Sequence, residues 1–98
     1  LTNMGDELRI LGRYEEALAC QHRALAAIRA SLGDEHREIA VALHNLASTE
    51  LAAGRPAAAL APAEEALAMR RRVLGDAHPF VREDQKLLTE IRGALARR

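Results

Sequence analysis

The pentapeptide LGDEH at residues 32–36 returns as LGDAH at residues 74–78. Each copy has a Leu–Gly pair, then an aspartate, one variable residue and a histidine, and the two copies lie 42 positions apart. A glycine in this position can end a helix, while aspartate and histidine can cap the next one. The repeated motif therefore predicts the same joint between helices at two places in the chain.

The duplication extends well beyond this motif. When the sequence is shifted by 42 positions, fifteen residues between 1 and 36 align with an identical residue. The aligned pairs include Leu1 with Leu43, Asn3 with Asn45, Gly12 with Gly54, Arg13 with Arg55, Leu18 with Leu60, Leu25 with Leu67 and Arg29 with Arg71. Self-similarity at a fixed period of this size is typical of stacked-repeat proteins, in which one unit cannot cover its own apolar face.

Within each unit the apolar residues recur at steps of three and four, the spacing of an amphipathic helix. We predict a first or A helix that ends at Gly12 in one unit and before Gly54 in the other. A second or B helix begins near Tyr14 or Pro56 and ends at Gly33 or Gly75 in the same two units. Each A helix and the B helix that follows it form an antiparallel pair.

Small residues are predicted at the crossings of these helix pairs, where a side chain no larger than a methyl group lets two backbones approach closely. They are Gly5, Ala17 and Ala24 in the first unit and Ala47, Ala59 and Ala66 in the second. After the joint at 74–78, a stripe of apolar residues with a polar back indicates one more amphipathic helix. Its members are Phe80, Val81, Leu87, Leu88, Ile91, Ala94 and Leu95.

The predicted fold is therefore all-α, with five helices in one domain over residues 1–98. Repeat 1 covers 1–42 and repeat 2 covers 43–79, and a capping or degenerate third-repeat helix covers 80–98. Hydrophobic residues make up 49% of the chain, enough for a thin core, and the prevalence of alanine and leucine favours helix over strand.

Composition excludes several classes of function. Fourteen basic residues balance fourteen acidic ones, so no overall field favours nucleic acid or an anionic membrane. No apolar stretch is long enough to span a membrane, and no secretory leader is visible, so we expect a soluble chain. The single cysteine, Cys20, excludes an internal disulfide and favours a reducing, cytoplasmic compartment. We expect no cofactor and no metal site.

The arrangement resembles the tetratricopeptide repeat, whose helix-pair signature has conserved large and small positions in a fixed register. The first unit matches with Leu1, Met4, Gly5, Leu8, Ala17, Gln21 and Ala24, and the second with Leu43, Leu46, Ala47, Glu50, Ala59, Ala63 and Ala66. The long period, the run GRYEEAL at 12–18 and the LGDxH joint resemble the variant found in kinesin light chains. Aliphatic or polar residues replace the aromatic positions of the signature, and Glu50 replaces a packing residue.

The resemblance implies a partner-binding groove lined by the A helices. The residues implied are Thr2, Asn3, Asp6, Arg9 and Ile10 on the first A helix, Val41, His44, Asn45, Ser48, Leu51 and Ala52 on the second, and Glu83, Lys86 and Glu90 on the last helix. Asn3 and Asn45 recur at one repeat position although asparagine is a poor helix former, and an amide can both donate to and accept from a ligand backbone. We therefore expect a protein or peptide partner and no small-molecule substrate.

Three other functions are compatible with parts of the sequence. The first is a structural role, in which the groove is empty and an uncapped N-terminal helix pair joins copies into a homo-oligomer. The second is contact with nucleic acid through Arg70–Arg72, although cations at the end of a helix also suit its dipole. The third is catalysis by Cys20, His22, His44 or Ser48, but none of them lies in a recognisable nucleophile elbow, so no catalytic residue is predicted.

Overall fold

The computed structural model describes residues 4–32 and 37–97, and the side chains of 12–31 and 37–97 within them. These residues form four α-helices and no strand: α1 (Met4–Leu32), α2 (Arg37–Ala52), α3 (Pro56–Leu74) and α4 (Pro79–Ala96). Each helix packs against the next along the chain, and α2 also touches α4. The all-α architecture of stacked helices is thus confirmed, and α2 and α3 form the expected antiparallel pair.

The first helix differs from the prediction. The expected break at Gly12 is wrong, because α1 continues through it for 29 residues and the described part has four helices where five were predicted. A glycine inside a helix costs only about 1 kcal/mol relative to alanine. Tyr14, which follows Gly12 by two positions, keeps the backbone N–H that Pro56 lacks at the equivalent position, so nothing forces the helix to stop.

The helix does end at the equivalent position of the second unit, in the turn between α2 and α3. Gly54 has a φ of 80°, its N–H donates to the carbonyl of Leu51, and the N–H of Arg55 donates to the carbonyl of Glu50. This pair of bonds is the Schellman arrangement that satisfies the last carbonyls of a helix. Pro56 then occupies the first turn of α3, as predicted, where its missing N–H costs nothing.

The LGDAH joint between α3 and α4 is formed as the motif predicts. Gly75 has a φ of 84°, and its N–H donates to the carbonyl of Arg71 at the end of α3. His78 is the N-cap of α4, and its Nδ1 accepts a hydrogen bond of 3.1 Å from the N–H of Phe80. Asp76 pairs with Arg71 at 3.3 Å. The first copy of the motif, with Gly33, Asp34 and His36, lies outside the described residues.

Two clusters of buried apolar side chains hold the four helices together. One joins α1, α2 and α3, and it contains Leu18, Leu25, Ile39, Ala40, Leu43, Leu46, Ala66 and Met69. The other joins α2, α3 and α4, and it contains Ala47, Ala59, Ala63, Leu67, Val81, Leu87, Leu88 and Ile91. α2 and α3 contribute to both clusters, so they form the centre of the stack.

The predicted crossings of small residues are confirmed in the second unit only. Ala47, Ala59 and Ala66 are all fully buried where α2 and α3 meet. In the first unit Ala24 is exposed and Ala17 is only half-buried, while the surroundings of Gly5 lie outside the described part of the chain. The reason is the continuity of α1, which does not fold back to give these residues a partner helix.

Candidate partner-binding groove

One face of α2 carries most of the groove residues whose side chains are described. Val41, His44, Asn45 and Ser48 follow the three- and four-residue spacing of a single helix face. Asn45 and Ser48 are exposed, Val41 is 46% exposed, and His44 is half-buried. The neighbouring face of α2 carries Ile39, Leu43 and Leu46, which are buried in the core. Packing therefore leaves this face of α2 open to solvent.

The other predicted groove residues are less well placed by the structure. Lys86 is exposed on α4. Thr2 and Asn3 lie outside the described residues, so the predicted asparagine pair is seen only at Asn45. Asp6 and Arg9 belong to the first turns of α1, and their side chains lie outside the described part.

A buried pair of Arg70 and Asp84, together with the half-buried His44, joins α2, α3 and α4 beside this face, and we call these three residues the ionic cluster. The Oδ1 atom of Asp84 lies 2.6 Å from Nδ1 of His44 and 3.0 Å from Nη1 of Arg70. Because a carboxylate only accepts, the Nδ1–H of His44 is assigned as a donor to it. The Asp84 side chain is 1% exposed and that of Arg70 is 9% exposed. The cluster fixes the side chain of His44 on the groove face.

Asp84 was not identified as a candidate from the sequence, and Arg70 was considered only as part of the basic run at 70–72, although the repeat carries a signal that both are buried. Arg70 occupies the position equivalent to Ile28, which packs against the core in the first unit. Asp84 lies at helical spacing between Val81 and Leu88 on the apolar stripe of α4. An arginine and an aspartate at two core positions of neighbouring helices indicate a buried pair, since neither charge is buried alone.

The cluster also changes the interpretation of the Arg70–Arg72 run. Arg70 bonds to Asp84, and its guanidinium carbon lies 5.1 Å from the centre of the Phe80 ring. Phe80, expected on the buried stripe of α4, is instead 48% exposed and covers this guanidinium. Arg71 pairs with Asp76 at 3.3 Å. The run is therefore divided between the interior and the surface, and it does not form a continuous basic patch.

The residue types considered for catalysis are dispersed. Cys20 is exposed on α1, where Arg23 donates to its sulfur at 3.3 Å, and His22 is exposed on the same helix. His44 is bonded within the ionic cluster on α2. Among the described residues no group of three His, Cys, Asp or Glu side chains is arranged to hold a metal ion. No helix within the described ranges is long and apolar enough to cross a membrane.

Stacked antiparallel helices with an open polar face on the central helix define the class of α-helical repeat proteins. The family model for the tetratricopeptide repeat matches residues 1–72 of the chain. The protein therefore belongs to the tetratricopeptide repeat family. No curated protein matches the sequence.

Proposed function

We propose that the exposed face of α2, continued by α4, is a groove that binds an extended or helical segment of a partner protein. Tetratricopeptide repeats are generally protein–protein interaction modules. The observation that carries the proposal for this chain is the face formed by Val41, His44, Asn45 and Ser48. Asn45 and Ser48 on this face are exposed, while Ile39, Leu43 and Leu46 on the neighbouring face of α2 are buried.

The groove is preformed in this proposal. The ionic cluster of His44, Arg70 and Asp84 ties the groove face to two neighbouring helices, so a ligand meets side chains that are already positioned. Preorganised surfaces bind with a smaller loss of conformational entropy than surfaces that must first become ordered. The asparagine on this face can hold the backbone of a ligand, which suits a segment recognised mainly through its main chain.

The test is a pair of alanine substitutions, Asn45→Ala and Ser48→Ala, measured against a partner isolated by affinity capture with the wild-type chain. Both side chains are exposed, so helicity by circular dichroism should not change. Binding should weaken by about tenfold, the effect of losing one or two hydrogen bonds to a ligand. The matched control is His22→Ala, also exposed but on α1. If the double variant binds as tightly as the control, the groove assignment is wrong.

Self-association with an empty groove is the alternative function. The predicted interface for self-association was an uncapped pair of helices at the N-terminus. The structure instead has one continuous helix, α1, over Met4–Leu32. Sedimentation velocity over a range of concentrations distinguishes the two functions. A chain that stays monomeric at high concentration contradicts self-association.

We also propose that the chain works in the cytoplasm. Its single thiol, Cys20, is exposed, and an exposed free thiol suits a reducing compartment. Fractionation of cells that express the protein, followed by immunoblotting, tests the compartment. Recovery in an oxidising compartment contradicts it.

A further inference from the structure

A second feature of the surface lies next to the groove, where the N-terminal turns of α2 and α4 meet the C-terminal turns of α3. It is an apolar pocket of about 270 Å³, which we call the three-helix pocket. Its lining consists of Arg37, Ala40, Val41, Met69, Arg70, Val73, Leu74, His78 and Phe80.

The pocket gathers the exposed apolar side chains. Among the described residues the exposed large hydrophobic side chains are Val41, Val73, Leu74 and Phe80, with exposures of 46%, 62%, 40% and 48%. All four line this one pocket. Single exposed hydrophobic residues are normal on a protein surface, but a contiguous group marks a site of interaction. Their convergence indicates a surface that is covered when the protein functions.

The size of the pocket limits what can enter it. A cavity of about 150 Å³ holds a benzene ring, whereas sites for drug-sized molecules or cofactors begin at about 300 Å³. The three-helix pocket falls between these values. It is large enough to accommodate one large apolar side chain.

The charges around the pocket predict which groups should flank a bound apolar side chain. Among the described residues, the charged or titratable side chains of the lining are two arginines and a histidine. The charge of Arg70 is neutralised by its ion pair with Asp84, so Arg70 adds no free positive charge to the pocket. Arg37 is exposed at the first residue of α2 and lines the pocket there. Arg37 therefore leaves a positive charge at the edge of an apolar pocket.

We infer that the three-helix pocket binds one large apolar side chain of a partner segment, flanked by a carboxylate that pairs with Arg37. The inference rests on the proposed function and adds the chemistry of the partner. Val41 lies on both the groove face and the pocket wall, so the two surfaces adjoin. A second copy of this chain fits less well, because two pockets placed face to face bring their Arg37 side chains together, and like charges repel.

The experiment uses three fluorescent blocked peptides and the full chain. The first peptide has a central leucine between pairs of glutamates, the second has serine in place of the leucine, and the third has lysines in place of the glutamates. Fluorescence anisotropy should detect binding of the first alone, with the other two at least about tenfold weaker. Equal binding of all three peptides, or no binding of the first at a Kd below about 1 mM, overturns the inference.

Variants of the pocket assign the binding to this surface. Val73→Glu should weaken binding of the leucine peptide by at least about tenfold, since it adds a negative charge and removes an apolar wall. Its control is Ala61→Glu, an exposed change on the same helix. Arg37→Gln should weaken binding about threefold, and this loss should shrink at high salt, while Arg23→Gln on α1 should change nothing. If Val73→Glu binds like its control, the pocket is not the site.

Two outcomes distinguish this inference from the proposed groove. If Asn45→Ala with Ser48→Ala leaves peptide binding intact while Val73→Glu abolishes it, the pocket stands and the groove fails. If Val73→Glu has no effect on the peptide but the groove variants do, the groove stands and the pocket fails. A chain that sediments as a dimer and becomes a monomer on Val73→Glu shows that a second copy occupies the pocket, which also overturns the inference.

Discussion

Asp84 of α4 accepts a hydrogen bond of 3.0 Å from Arg70 of α3, and neither side chain is more than 9% exposed. Replacing Asp84 with alanine leaves the guanidinium buried without a counter-charge. We expect Asp84→Ala to lower the free energy of unfolding by about 3–5 kcal/mol, measured by urea denaturation.

The control for this prediction is Asp76→Ala. Asp76 also pairs with an arginine, Arg71, but its side chain is 85% exposed, so the change should cost no more than about 1 kcal/mol. A double variant with Arg70→Met and Asp84→Leu should recover much of the lost stability, because it removes both buried charges. Equal losses for Asp84→Ala and Asp76→Ala would contradict the burial of the pair.

Replacing Gly12 or Gly75 with alanine should have opposite effects on stability. An added Cβ meets nothing within 4 Å at either position, so only the backbone decides. Gly12 lies inside α1, and Gly12→Ala should stabilise the chain by about 0.5–1 kcal/mol. Gly75 has a φ of 84°, and Gly75→Ala should destabilise it by about 1–2 kcal/mol. Thermal and urea unfolding measure both changes. Destabilisation by Gly12→Ala would show that α1 breaks there after all.

The alanines between α2 and α3 should not accept larger side chains. Ala59 is fully buried, and Ala59→Leu should cost about 1–3 kcal/mol because the two helices must move apart. Ala61 lies two residues further along the same helix and is exposed, so Ala61→Leu should leave stability nearly unchanged. Urea midpoints for the two variants should therefore differ clearly, and identical midpoints would mean that the helices are not closely packed at Ala59.

The cap of α4 depends on an acceptor at residue 78. His78→Ala removes the acceptor for the N–H of Phe80 and should cost about 1 kcal/mol. His78→Asn keeps an acceptor at the same place, so it should retain most of the stability. Hydrogen exchange at the amide of Phe80 reports the cap directly, and it should become faster in the alanine variant only. Equal exchange in both variants would show that the imidazole does not protect this amide.

The sequence predicted those parts of the fold that depend on local interactions. The start of a helix near Pro56, the end of α3 at Gly75 and a further helix after the joint at 74–78 all follow from the residues at those positions and their immediate neighbours. The path of α1 through Gly12 was not predicted, since a glycine permits a break without requiring one. The aligned copy at 54–56 was misleading because only that copy contains a proline.

The exposed face of α2 could likewise be predicted from the local sequence, whereas the ionic cluster could not. The exposed face of α2 could be assigned from the spacing of Asn45 and Ser48 and the resemblance to the family. The bonds of Asp84 join residues 14 and 40 positions apart, so they depend on how three helices pack. A comparison of Arg70 with Ile28 at the equivalent repeat position would have marked Arg70 as buried, but not which carboxylate it meets.

The joint at 74–78 is held by local hydrogen bonds, which matters for how a repeat array can lengthen by gene duplication. Its bonds, from Gly75 to Arg71, from His78 to Gly75 and between Phe80 and His78, all fall within ten consecutive residues. A segment that makes its own bend needs no help from its surroundings. Tandem duplication of the gene segment that encodes it would therefore lengthen the array without any compensating mutation at the seam.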